Sequence, residues 1–350
     1  MHKSEKMGNR RPDMPFFLIL FARAFTKASL LWLTIVEHRS MVSRRNIRVK
    51  VMQVMYAMTR DQALHMDDAV RRFHAQVDQS FSLFLYNLLV FSRVTARSVK
   101  DADRRAARHL PTDEDKRSRE NFENAVMQSL NRSIQFNKEI DLRKLRGRLN
   151  EDSIRLMYSE FSKIETYSEY ILKEKPTDED HRQMLLDCYR FLSKNDHFTD
   201  LMEETFPNWI DDSSLVIGAT KKVIKATPLS ENFLDEHRPD ADAEFAFGDT
   251  LLKRMIIEDE RLLGLVEPIL KNWDAERLAI LDMILIKMAL CEFLYFPSIP
   301  AKVTLNEYVE IAKVYSTDKS KEFINGIMDR LLKQLSEEGK IKKEGRGLVE

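Results

Sequence analysis

Residues 276–296, ERLAILDMILIKMALCEFLYF, are apolar nearly all the way round a helix and, after the leading Glu276 and Arg277, are interrupted only by Asp282, Lys287 and Glu292. A helix of that kind has no face for water and must be enclosed by other elements. Its charged residues then have to be paired or lie where a partner docks, because an unpaired buried charge is strongly unfavourable. The enclosing elements are expected to be helices too. With 9 Gly and 10 Pro in 350 residues, the chain has few residues for tight hairpin turns and favours long helices with short connections. The fold class expected is all-α, and 43% hydrophobic residues suffice for a sizeable core in one large domain or two ordinary ones.

The neighbouring segments carry helical periodicity. One helix is expected over about 245–272, with Leu252, Met255, Ile256, Leu262, Leu263 and Val266 facing inward. After SIP at 298–300, the string VTLNEYVEIAKVY reads as a helix start with a capping box, Thr304 and Glu307, and a staple pair, Val303 and Tyr308. In KEFINGIMDRLLKQL a seam runs through Phe323, Ile324, Ile327, Met328, Leu331, Leu332 and Leu335. Gly326 within it costs about 1 kcal/mol relative to Ala, which suggests a close helix crossing. The tail from 337 is polar and expected to fray.

Upstream, Ile47, Val51, Val54, Met55 and Met58 make one apolar face from Arg44 onward, and Arg44, Arg45, Arg48 and Lys50 stand largely off it. A second stripe begins at Phe81 and passes into a basic row, Arg93, Arg97, Lys100, Arg104 and Arg108, read chiefly as a solvated face and alternatively as an auxiliary phosphate-contacting strip. Two copies of PTDED, at 111–115 and 176–180, read as helix starts capped by Thr112 and Thr177 and not as an internal repeat, because their flanks do not match. Further helices are expected over 151–174, 180–193 and 212–226. Ser230–Phe245, with six acidic residues against one Arg and a central Pro239, reads as an exposed connection.

Charge and side-chain chemistry narrow the function. Fifty-six basic and 56 acidic residues cancel, but residues 1–60 hold 12 Lys plus Arg against 3 Asp plus Glu, so the basic charge is front-loaded. Cys188 and Cys291 are far apart, no His-x-x-x-His pair occurs, and no Gly-rich phosphate loop is present, so no catalytic group, metal or cofactor is expected. Pro15–Val36 is apolar, yet Arg23 and Lys27 interrupt it before it reaches the roughly 20 apolar residues of a membrane span. Its cationic lead resembles a secretory signal. The favoured reading is that translation starts at Met41 and that residues 1–40 are an upstream extension, in keeping with a cytoplasmic, cysteine-poor protein with no membrane association.

The string from Trp273 to Leu332 resembles the carboxy-terminal half of the NusB family of transcription antitermination factors. The resemblance rests on Arg277, Asp282, Ala289, Glu292, Pro300, Asn306, Glu307, Ala312 and Lys313, completed by Ser320, Phe323, Asn325, Gly326 and Asp329. Met41–Tyr56 is similar to the family's arginine-rich amino terminus, with Gln53 and Tyr56 further along. The resemblance implies an all-helical, NusB-like bundle that binds single-stranded boxA RNA of nascent ribosomal transcripts together with the ribosomal protein NusE, in a complex with NusA, NusG and RNA polymerase. It implies RNA contacts at Arg44, Arg45, Arg48 and Phe323, and a NusE contact at Asp282. Lys50, Lys319 and Lys321 are added here as RNA-binding candidates. Guanidinium and ammonium groups take phosphates, and an aromatic face stacks a splayed base.

Three positions depart from the family pattern: Asn46 stands where arginine is common, Lys287 replaces an arginine, and Lys319 occupies an often acidic position, making the 319–321 loop more basic. The middle of the chain is also far longer than the family core. The expected organisation is an extension at 1–40, the RNA-binding helix and start of the core at 41–74, a helical insertion with connecting helices at 75–244, the NusB-like domain at 245–336 and a polar tail at 337–350. The function expected is a non-catalytic RNA-binding adaptor of transcription. The alternatives are a helical protein-interaction scaffold and the NusB-like domain of an RNA-modifying system, the latter needing a cofactor loop and a cysteine motif that do not appear.

Overall fold

The computed structural model describes residues 40–61, 63–107, 109–110, 122–240, 244–270, 279–317 and 319–348. The expectations for residues 1–39, Arg108, Thr112 and Trp273–Arg277 lie outside them. Among the described residues there are fourteen α-helices and no strand, so the all-α expectation holds.

Helix α1, Arg44–Arg60, begins at Ser43, whose hydroxyl accepts from the Asn46 N–H while the Asn46 side chain accepts from the Ser43 N–H. Asn46 is therefore a capping residue here, a task an arginine at that position could not perform. Helix α2, Met66–Ala106, is 41 residues long, about 60 Å at 1.5 Å per residue. Its first half packs on α1, and its second half is enclosed by the helices that follow: α3 (Ser129–Arg132), α4 (Ile134–Leu142), α5 (Glu151–Phe161), α6 (Glu165–Leu172), α7 (Asp178–Leu192) and α8 (Asp196–Thr205), with α3, α4, α5 and α7 touching it directly. Between Phe81 and Val94 nearly every side chain is consequently buried. Asn87, fully buried on α2, accepts from the Tyr189 hydroxyl at 2.8 Å and the Thr220 hydroxyl at 3.1 Å. That pair ties α2 to α7 and to α9, Trp209–Lys225.

Thr177 caps α7 as expected, in a box with Asp180. Two other expectations fail locally. The helix expected over 151–174 breaks between α5 and α6. The acidic connection at 230–245 is not simply exposed, because Phe233 and Leu234 are buried and the Leu234 N–H donates to Gln135 Oε1 at 3.0 Å.

The single helix expected over 245–272 is two, α10 (Ala246–Ile257) and α11 (Asp259–Val266), separated at Glu258. Three consecutive acids, Glu258, Asp259 and Glu260, favour a helix amino terminus over a helix interior. The break lets Asp259 accept from Lys287 of α12, Ile280–Tyr295, at 2.7 Å. Helix α12 is enclosed by α10, α11, α13 (Ala301–Tyr315), α14 (Ser320–Glu337) and α1. As its composition requires, Asp282, Lys287 and Glu292 are all paired.

The capping box expected at Thr304 does not form. Helix α13 starts four residues earlier, after Pro300, and places Thr304 inside the first turn, where its hydroxyl donates to Glu292 at 3.1 Å. Val303 is exposed and makes no staple. The helix crossing expected at Gly326 is also absent: a side chain there would meet open space. The close approach occurs at Gly248, where a Cβ would clash with the Phe73 ring and lie 2.9 Å from Ile47 Cγ2. Gly326→Ala is expected to stabilise the protein by about 0.5–1 kcal/mol, from the helix propensity difference alone. Gly248→Ala should destabilise it by about 1–3 kcal/mol through overpacking. Urea unfolding midpoints of the two variants moving in opposite directions would check both. Among the described residues no helix is long and apolar enough to cross a membrane.

Candidate nucleic-acid interface

The first two turns of α1 hold four basic residues of two kinds. Arg44 and Arg45 are exposed at the start of the helix and line an open cleft with Ser298, Ile299, Pro300 and Val303. The Arg44 guanidinium lies 5.6 Å from the centroid of the Phe247 ring. Arg45, half exposed, donates from Nε and Nη2 to both carboxylate oxygens of Glu307, at 2.9 and 2.8 Å. The hydrogen bond from Arg45 holds the Glu307 carboxyl below the usual carboxylate range; burial opposes this, and the charges of Arg48 and Arg45 assist it.

Arg48 and Lys50 are not exposed, which corrects their assignment as RNA contacts. Arg48 is 2% exposed and donates to both oxygens of Glu292, at 2.6 and 2.9 Å, with Glu307 a further 3.4 Å contact. Glu292, fully buried, also accepts from Thr304 and from the Tyr308 hydroxyl at 2.6 Å. Burial works to lower the Arg48 pKa, but the hydrogen bonds and charge of Glu292 more than offset it, so the guanidinium stays ionised. Burial, reinforced by the Glu292 charge, raises the Tyr308 pKa well above normal and keeps its hydroxyl a donor. Lys50 is 1% exposed, with Nζ 2.8 Å from both oxygens of Asp212, which also accepts from Ser80 and Asn208. The physical reason is that α1 is packed on several sides. Its charged flank faces carboxylates from helices more than 150 positions away, and no local pattern records them.

Asp282 is likewise buried, at 4% exposure, and accepts from the Ser316 hydroxyl and from the Ser320 hydroxyl at 2.7 Å. It is therefore no direct docking residue; it holds the turn between α13 and α14. That turn presents Lys319, exposed, with Lys321 and Phe323 half-buried just beyond it. The Arg44–Arg45 cleft and this turn lie toward opposite ends of α13, Val303 to Tyr315, about 18 Å apart along the helix axis. Beside the turn runs a second groove, lined by Met52, Gln53, Tyr56 and Arg60 of α1 and by Tyr315, Ser316 and Thr317. Tyr56 is 40% exposed and Arg60 lies over its ring at 5.4 Å. Neither was singled out as a site residue, although a tyrosine on the polar flank of α1 with an arginine four residues on was a legible signal. Of the basic row on α2, Arg97 pairs with Glu151 and Arg104 with Asp101, and Arg93, Lys100 and Arg104 are all exposed. No group of three metal-ligating side chains occurs among the described residues.

The NusB family profile matches residues 216–333, from within α9 into α14. The chain is 42% identical over 117 residues to the transcription antitermination protein NusB of Salinibacter ruber, covering 33% of this chain and 70% of that protein. To the NusB of Geobacter sulfurreducens it is 36% identical over 115 residues, covering 33% of this chain and 83% of that one. The chain belongs to the NusB family. With the NusB of Chloroherpeton thalassium the identity is 48% over 79 residues, 23% of this chain, and the match spans only 37% of that relative. No solved structure matches. Helix α1 precedes the residues matched by the NusB profile, and it is joined to them through Arg48–Glu292, while Lys50 pairs with Asp212 just before the match begins. The chain is a long form, with a helical region beyond the residues that the NusB profile matches.

Proposed function

We propose that the chain is a non-catalytic adaptor of transcription antitermination that binds single-stranded, boxA-like RNA together with NusE, within a cytoplasmic complex of NusA, NusG and RNA polymerase. The observation that carries this reading is the placement of α1. Buried ion pairs clamp it to α9 and α12, and the two arginines that open it, Arg44 and Arg45, stand at an open cleft. Phosphates would be taken by those guanidiniums and by Lys319 and Lys321, with Phe323 and Tyr56 available as stacking faces. Arg48, Lys50 and Asp282 act indirectly, by fixing the elements that carry the contacts.

The test is a titration of a fluorescent boxA-like RNA against the full chain, with and without NusE, beside a scrambled RNA. Binding that is tighter for the boxA-like sequence and strengthened by NusE is expected. Equal, weak binding of both RNAs in either condition would overturn the proposal. Phe323→Ala should weaken binding of the boxA-like RNA roughly fivefold to tenfold, consistent with the loss of about 1–3 kcal/mol found for one stacked base at the lower end. The scrambled RNA should be affected less.

A further inference from the structure

The polar tail after α14 was expected to fray, yet it is docked. Ile341 packs against the core, and the Lys343 ammonium donates to the carbonyl oxygens of Glu292 and Phe296, at 3.2 and 3.0 Å. The Glu344 N–H donates to the Pro297 carbonyl at 3.0 Å. Those acceptors belong to the end of α12, where the exposed carbonyls concentrate partial negative charge and favour a cation. Burial lowers the Lys343 pKa, and the charge of Glu292 opposes that shift.

The place where the tail docks matters for the cleft. Residues 298–300, immediately after the Phe296–Pro297 anchor, form one wall of the cleft that Arg44 and Arg45 line. The Phe296 ring packs edge-on against Phe247 at 5.2 Å, and Phe247 is the ring over which Arg44 and Arg48 lie. A line of contacts thus runs from Lys343 through Phe296 and Phe247 to Arg44. Between the docked Ile341 and Lys343, Lys342 is exposed and has no ion-pair partner among the described residues, whereas Lys340 pairs with Glu338.

We propose that the carboxy-terminal segment 340–345 is part of the nucleic-acid interface. Lys343 straps it across the end of α12, Lys342 supplies a further phosphate contact, and the strap holds the cleft wall beside Arg44 and Arg45. The inference rests on the RNA-binding reading above. A flexible tail would spread its charge over many conformations, whereas a docked one holds it at a fixed place on the end of α12. The contact is to the backbone, so it carries no base preference.

The test measures binding of single-stranded RNA by the full chain across a salt series. Lys342→Ala should weaken binding roughly threefold to tenfold, equally for boxA-like and scrambled RNA, and should reduce the slope of log K against log salt by about 0.7, one single-strand phosphate contact. Lys343→Met should produce a comparable loss by releasing the strap, and Lys343→Arg, which keeps a cation at the carbonyls, should restore most of it. Arg45→Glu is the reference variant. If it weakens binding while Lys342→Ala and Lys343→Met bind as wild type with an unchanged slope, the strap is refuted and the interface stands. If Arg45→Glu also binds as wild type, the interface reading itself falls.

Discussion

Arg48→Ala is expected to destabilise the protein by about 3–5 kcal/mol, the effect of removing one partner from a buried ion pair and leaving the other uncompensated. The carboxylate left behind, Glu292, has no access to solvent and among the described residues retains only the Thr304 and Tyr308 hydroxyls as donors. The loss also removes the buried ion pair between α1 and α12, because Arg48 is the residue of α1 that reaches Glu292. Urea unfolding followed by circular dichroism would read the change as a lower midpoint. Arg48→Lys should fall between the two, since an ammonium keeps the charge but not the two parallel hydrogen bonds of the guanidinium. A loss below about 1 kcal/mol for Arg48→Ala would mean that Glu292 finds other partners and that the clamp on α1 is weak. The same variant should also bind RNA less well, through displacement of the first turn and not through loss of a contact.

Arg45→Glu is expected to give the largest loss of RNA affinity, roughly tenfold to a hundredfold at moderate salt, because it removes a phosphate contact and places a negative charge at the cleft. The salt dependence should flatten by at least about 0.7 in slope. The substitution also faces Glu307 with a second carboxylate, so unfolding must be measured alongside. The Glu307 carboxylate competes with phosphate for the same guanidinium, and this gives an opposite prediction. Glu307→Gln leaves Arg45 without its ionic partner and should raise affinity severalfold. If both variants bind RNA as the wild type does, Arg45 does not contact RNA. If Glu307→Gln weakens binding instead, Glu307 serves to position Arg45 and not to compete for it.

Where a residue's fate depended on its own helix, the sequence was a good guide. The enclosure of α12 followed from an apolar circumference, and so did the pairing of Asp282, Lys287 and Glu292, since no hydrophobic helix can leave charges unmatched in its core. The cap at Thr177 and the seam of α14 were legible for the same reason: both are settled within a few residues. Misreadings came where two local readings competed. Thr304 and Glu307 have capping-box spacing, but Pro300 starts the helix earlier and Arg45 and Glu292 claim their side chains. Gly326 and Gly248 are both glycines inside helices, and only packing decides which one a neighbour approaches.

For the candidate interface, the sequence determined that basic residues are concentrated in the first two turns of α1 and in the loop before α14, because charge and helical spacing are written in the chain itself. Tertiary structure alone decided which of those cations face water. Arg44, Arg45 and Lys319 do, whereas Arg48 and Lys50 are turned inward to Glu292 and Asp212. It also decided that Asp282 supports the loop from beneath and that the carboxy-terminal tail lies on the end of α12. The reason is common to all of these. An ion pair buried between residues 244 and 162 positions apart is stable only when both partners are brought together out of water, and neither partner's local sequence shows where the other will be.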